Sequence, residues 1–315
     1  MNGIATNPGK RATQHREAGR ATKLLHSGSR SAQEQGLLNP PVQRASTIVY
    51  DTVEDYVNRH GRLYDGVVYG LYGTETTFAL AAAIAELERG YQAVITSSGT
   101  AAITLSLAAF LGAGDHVLVI DTAYRSTRRF CDEVLRGFGV QVSYFAPEAG
   151  AEIASLLRSN TRVVFLEVPG SLTFELADIA AITEVTRARG IVTALDNTWA
   201  TPLLFPALGH GVDVSILAAT KYVGGHSDVM LGAVTATPEL FPRIERASWD
   251  LGHGVSPDDA WLGARGLRTM AVRLRQHEAS ALKVARWLQA QPQVARVLHP
   301  ALPDCPGHEL WKRDF

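Results

Sequence analysis

Cysteine is scarce in this chain: Cys131 and Cys305 lie far apart, and neither shows the spacing of a metal-ligand set. That pair supports no disulfide framework and suits a reducing, cytoplasmic setting. Excess charge of either sign is also missing. With 30 basic and 31 acidic residues and a net charge of −1, nothing recommends nucleic acid or an anionic membrane as a partner. Long apolar runs are absent as well. The longest, Ala79 to Leu87 and Ala101 to Leu111, are too short and too broken to cross a bilayer. The first twenty residues carry Lys10, Arg11, Arg16 and Arg20 without the apolar core of a secretory signal. Pro8-Gly9 interrupts any amphipathic helix there, so a disordered arm is expected rather than a transit peptide. Neither GxxxxGK[ST] nor GxGxxG occurs, and there are no internal repeats. What remains is 315 residues, 46% of them apolar, enough to bury the core of one large or two moderate domains.

Residues 22 to 60 pair Pro40-Pro41 with short β-branched stretches such as Ser46 to Tyr50, which predicts an extended arm of the kind that reaches a neighbouring subunit. A glycine-punctuated loop, Val68 to Thr74, precedes an alanine-rich helix over Thr76 to Glu88 that Gly90 stops. Strands then alternate with amphipathic helices. The strands are expected at Ala93–Ser97, His116–Ile120, Val140–Phe145, Val163–Glu167, Ile191–Leu195, Asp213–Leu217 and Gly232–Ala236. The helices are expected at Thr100–Leu111, Ser126–Phe138, Glu152–Leu157, Ala177–Ala188 and Glu239–Trp249. Such alternation predicts an α/β fold with a mostly parallel sheet, helices on both faces and a ligand at the carboxyl ends of the strands. Helical stretches at Asp258–Leu267 and Ala271–Gln291 follow, then a strand from Gln293 to His299.

One segment concentrates the chemistry: Gly211 to Asp228, GVDVSILAATKYVGGHSD. A buried strand there delivers Thr220 and Lys221 at its end, ahead of a flexible Tyr222-Val223-Gly224-Gly225 turn. A lysine leaving an apolar strand is either a surface exit or an amine set up for reaction. Asp196, which follows the strand Ile191–Leu195, is either a turn cap or an acid in the same site. A lysine and a carboxylate at the ends of two nearby strands suit pyridoxal 5′-phosphate, where the lysine carries the cofactor and the acid holds the pyridinium proton. Ser97-Ser98-Gly99-Thr100, between a strand and a helix, reads either as a helix cap or as a phosphate cradle of exposed N–H groups. Tyr124 is open between aromatic packing and a site role. His226 and Asp228 lack a third metal ligand, so no metal is expected. Arg128 and Arg129 are candidates for a substrate carboxylate or simply solvated helix residues.

The stretch LDNTWATPLLFPALGHGVDVSILAATKYVGGHSDVMLG, continued by ARGLRTMAVRLRQHEAS and HPALPDCPGHELWKRDF, resembles the cysteine and methionine metabolism family of pyridoxal-phosphate enzymes, and within it the bacterial cystathionine β-lyases. The resemblance runs from about Thr22 to the last residue. It implies an aspartate aminotransferase-like, fold type I architecture with a seven-stranded sheet, divided as an N-terminal arm (1–60), a cofactor domain (61–255), and connecting helices with the start of a smaller domain (256–315). It further implies that Lys221 and Tyr124 are catalytic, that Tyr124 stacks on the cofactor, and that Gly99, Thr100, Asp196, Thr220 and Lys221 bind it. Tyr69 is implied to reach the phosphate from a neighbouring subunit of a homodimer or homotetramer. The pattern is departed from at Leu71, where many relatives have arginine, and at Ala218, where many have serine. Gly170-Ser171-Leu172 stands where γ-acting relatives commonly carry Thr-Asn-Pro. The implied reaction is β-elimination of cystathionine to homocysteine, pyruvate and ammonia in methionine biosynthesis, with a γ-acting relative or a catalytically weak truncated chain as alternatives. Relatives are expected to run roughly 80 residues further through a C-terminal domain of ordinary size, which would hold the arginine for the substrate α-carboxylate.

Overall fold

A computed structural model describes residues 19–28, 36–59 and 66–315; the basic arm with Lys10, Arg11 and Arg16 lies outside the described residues. The apolar runs become seven strands: β1 (Gln92–Thr96), β2 (His116–Ile120), β3 (Gln141–Phe145), β4 (Thr161–Glu167), β5 (Val192–Asp196), β6 (Val214–Leu217) and β7 (Gly232–Ala236). β2 and β7 fall where the sequence puts them, and the others shift by one or two residues. They form one sheet in the order β1-β7-β6-β5-β4-β2-β3, parallel except for β7, which runs antiparallel to both neighbours. Continuous burial of β2, β6 and β7 explains why they read as unbroken hydrophobic runs, since helices cover both faces of such a sheet.

The helices are α1 (Arg20–His26), α2 (Val53–Asn58), α3 (Glu75–Glu88), α4 (Gly99–Ala108), α5 (Arg125–Arg129), α6 (Ile179–Ala188), α7 (Thr201–Leu204), α8 (Phe241–Asp250), α9 (Pro257–Gln289) and α10 (His308–Asp314). α5 runs directly into a π-helical turn, Phe130–Leu135. One apolar cluster lies around β2, β4 and β5, with Phe165, Leu166 and Leu118 fully buried. A second, around Leu80, Ile84, Leu231 and Met270, packs α3 and α9 together. No helix among the described residues is long and apolar enough to cross a membrane.

Three expectations need correcting. The arm expected from residue 22 begins instead as helix α1, whose Leu24 buries fully in the second cluster against α3 and α9 and contributes about 2 kcal/mol toward holding it there. Further on, the extended segment is pinned where Trp261 donates to Pro40 O at 3.1 Å and Gln43 N–H to Thr76 Oγ1 at 2.8 Å, while Val49 and Val57 stay exposed. Gln293 to His299 forms no strand. Among the described residues all seven strands belong to one sheet, and this segment pairs with none of them, so its backbone joins no ladder. The two expected helices after Pro257 are one uninterrupted helix of 33 residues, α9, capped by Ser256 accepting from Asp258 N–H.

α3 closes on a wholly buried acid. Glu88 Oε1 accepts from Ser215 Oγ on β6 at 2.5 Å and from Asn197 Nδ2 at 3.2 Å, and Oε2 accepts from Ala207 N–H at 3.0 Å. Burial pushes this carboxyl up to about 7, although the three donors favour its charged form. Its folded-state pKa therefore exceeds its unfolded value, and the folded chain keeps a proton that unfolding releases. The resulting stability is full below the unfolded pKa and is lost as pH rises to about 7. Cofactor-free protein should lose about 3 kcal/mol across that window from this group. Urea unfolding at a series of pH values should show this slope and should show it flattened in Glu88→Gln.

Candidate active site

The parallel strands all end at one edge of the sheet, and the candidate residues stand there in strand order. Ser98, Gly99 and Thr100 follow β1, Lys221 follows β6, Asp196 ends β5, Glu167 ends β4 and Tyr124 follows β2. A cavity of about 820 Å³ opens at this edge, lined by Lys221, Thr220, Thr198, Trp199, Glu167 and Arg273 among others. Lys221 faces it as an exposed amine.

Several contacts hold the lysine in place. Lys221 N–H donates to Ala218 O at 2.9 Å, and Gly225 N–H returns to Lys221 O at 2.8 Å, so the chain turns tightly around the residue. α9 grips this turn from outside. A Cβ on Gly266 would lie 2.2 Å from Gly224 O and 2.3 Å from Val223 O, so only glycine lets the helix come this close. Arg273, two turns on, donates from one nitrogen to Tyr222 O and Gly266 O, each at 2.7 Å. Thr220 spends its hydroxyl on Leu231, donating to the carbonyl at 3.0 Å and accepting from the N–H at 2.8 Å.

Asp196 is almost completely buried. Its one hydrogen-bond partner among the described residues is Thr198, whose N–H donates to Oδ1 at 3.0 Å. Thr198 Oγ1 in turn accepts from Ala218 N–H at 2.7 Å, linking the acid to the lysine turn. Burial pushes Asp196 up from the usual carboxylate range. Its register neighbour on β4 is Glu167, a residue that sequence reasoning passed over. Glu167 is also pushed up, first by burial and then by the charge of Asp196, and its Oε2 accepts from Tyr124 N–H at 2.7 Å. Two acids thus sit side by side at strand ends, and neither forms an ion pair among the described residues.

At the other end of the row, Ser98 caps α4 by accepting from Ala101 N–H. The N–H groups of Gly99 and Thr100 find no acceptor among the described residues, as is usual in a first helical turn. A Cβ on Gly99 would lie 2.5 Å from that of Ala218, so this helix end abuts the lysine turn. Tyr124, half exposed, starts α5. Tyr69 is not brought to this cavity within one chain: its ring meets Tyr72 edge-on, and Tyr72 meets Trp249. Those last two residues and Leu71 line a separate cavity of about 370 Å³ between α3, β1 and α8. Arg128 bonds to Asp121 O and lies over the Tyr144 ring, and Arg129 pairs with Glu133; neither lines the cavity at Lys221. His226 Nδ1 meets Gly224 O and Asp228 pairs with Arg265. No group of three metal-ligating side chains occurs among the described residues.

An amine, a buried acid with unused acceptor capacity and a helix end with free N–H groups are what pyridoxal 5′-phosphate requires of an aldehyde partner, a pyridinium partner and a phosphate cradle. The residues present fit that group, and on this sheet they define a fold type I pyridoxal-phosphate protein. The Cys/Met metabolism PLP-dependent enzyme profile matches residues 21–315, and the chain belongs to that family. It is 45% identical over 299 residues to cystathionine beta-lyase of Escherichia coli strain K12, covering 93% of this chain and 75% of the relative. It is 44% identical over 298 residues to cystathionine beta-lyase of Haemophilus influenzae, covering 94% and 75%. Among solved structures, cystathionine gamma-lyase from Lactobacillus plantarum complexed with L-serine superposes with a TM-score of 0.88 at 30% identity, covering 94% of this chain and 76% of that one.

The close approach at Gly266 gives a direct test. Gly266→Ala should push the Lys221 turn off α9 and destabilise the protein by about 1–3 kcal/mol, read by urea unfolding, with a parallel loss of cofactor retention on gel filtration.

Proposed function

We propose that this chain is a pyridoxal-phosphate-dependent carbon–sulfur lyase that cleaves cystathionine by β-elimination, releasing homocysteine, pyruvate and ammonia. What carries the reading is the pairing of β-lyase relatives at 44% and 45% identity with a cavity lined by Lys221 and Thr198, the residue that bonds the buried Asp196. When bound, the cofactor supplies an electron sink for charge developing at the substrate Cα. Lys221 would hold the cofactor, and its amine would take the proton from the substrate Cα. Asp196 would keep the ring nitrogen protonated, and its own ionised form, which burial disfavours, would be stabilised by that cation. Tyr124 forms the aromatic wall. Gly99 and Thr100 offer backbone N–H groups to the phosphate, joined by Thr220 if its hydroxyl leaves Leu231 and by Tyr69 of a second copy. On this reading residues 61–255 are the cofactor-binding unit and 256–315 lead into a second unit. The enzyme works as a cytoplasmic homo-oligomer on a small amino-acid substrate.

The γ-lyase neighbour at 30% identity favours a second reading, γ-elimination of the same thioether. Incubating purified protein with cystathionine and identifying the keto acid decides between them: pyruvate is expected, and 2-oxobutyrate would establish the γ reading instead. Borohydride reduction followed by peptide mapping should label the Thr220-Lys221 peptide, and a label elsewhere would remove Lys221 from this role. Lys221→Ala should lower kcat by about 10²–10⁴-fold, the usual cost of losing a positioned acid–base group.

A further inference from the structure

We propose that Glu167 is a positioning residue of this site: one carboxyl at the end of β4 both anchors the backbone of Tyr124 and flanks Asp196, so a single side chain sets the aromatic wall and the acid together. The inference rests on reading the Lys221 cavity as the cofactor site. Three observations carry it. Glu167 lines the cavity, yet it is spent on no cation among the described residues. Its Oε2 takes the Tyr124 N–H at 2.7 Å across 43 residues of sequence, from β4 to the segment leaving β2. Its register partner on β5 is Asp196.

Tyr124 needs such an anchor. It heads a five-residue helix with no side-chain cap of its own, and the residue is 53% exposed, so packing does little to fix it. A carboxyl at that helix start supplies the missing acceptor. Burial and the neighbouring Asp196 both favour the protonated form of Glu167. Held as a neutral acid, it can accept the amide without placing a second negative charge beside Asp196. Glutamine has the same reach and also accepts through a carbonyl oxygen, so it should substitute. Aspartate keeps the acid but is one methylene too short, and should not.

Hydrogen exchange of the Tyr124 amide in cofactor-free protein reads the anchor directly, independent of which substrate the enzyme takes. Exchange in the peptide carrying Tyr124 should quicken about tenfold in Glu167→Ala and Glu167→Asp, the effect of one lost hydrogen bond, and stay near the parent rate in Glu167→Gln. In the loaded enzyme, kcat should fall about tenfold in the first two variants with KM changed less, and recover in Glu167→Gln. Equal exchange rates in all four proteins would overturn the proposal. So would a glutamine variant that behaves like the alanine one, because charge rather than the hydrogen bond would then be what matters. Failure of cystathionine turnover with the exchange pattern intact would leave the anchor standing and count only against the substrate assignment.

Discussion

The register of β4, β5 and β6 is the constraint on which the rest depends. Glu167 pairs with Asp196, and Asp196 with Ile216, so two acids and the lysine turn emerge side by side from the sheet. Because side chains alternate along a strand, a slip of one residue would send Asp196 to the opposite face. The apolar cluster around Phe165 and Leu166 is what forbids that slip. Core packing and the site's electrostatics are therefore set by the same alignment.

Lysine position is settled from the outside by α9, through residues more than forty positions downstream. Gly266 lets α9 touch the turn, and Arg273 bonds its Tyr222 carbonyl. A turn with two consecutive glycines would otherwise wander, and a wandering amine has a lower effective concentration at any partner. The two glycines of the turn give it its shape, and Arg273 restores the stiffness they remove. Gly225 sits at φ +76 with the guanidinium packed against it, so a Cβ there would lie 2.2 Å from that group. The arginine fits only because glycine leaves the space.

The strands were legible because burial on both faces makes each an unbroken apolar run. Lys221 and Asp196 were legible because each breaks such a run at its end. Glu167 breaks Val163 to Leu166 in the same way, and the same rule applied to every strand would have found it. Arg273 could not be found so, since on a helix it is one basic residue among several and its target lies fifty residues earlier in the chain. The strand expected at Gln293 to His299 failed for the converse reason: β-propensity describes a residue's fit to a neighbour, and no strand among the described residues pairs with it. Helix α1 was missed because a single buried leucine, Leu24, decides it, and one residue leaves no periodicity to read.

Acids at this edge are distinguished by how much of their acceptor capacity is already filled. Glu88 and Asp196 are both buried, and Asn197 connects them: it follows Asp196 in sequence and donates to Glu88. Glu88 takes three donors from three segments, which leaves no role for a ligand and makes it a fastening between elements. Asp196, with Thr198 as its one partner, keeps acceptor positions open on a group that burial disfavours as an anion. A buried carboxylate in that condition is stabilised by a cation with a hydrogen to donate. A protonated pyridine nitrogen is such a cation. On the proposed reading, the open acceptor positions of Asp196 would favour the cofactor's protonated form, and with it the electron-withdrawing ring that the chemistry at Cα requires.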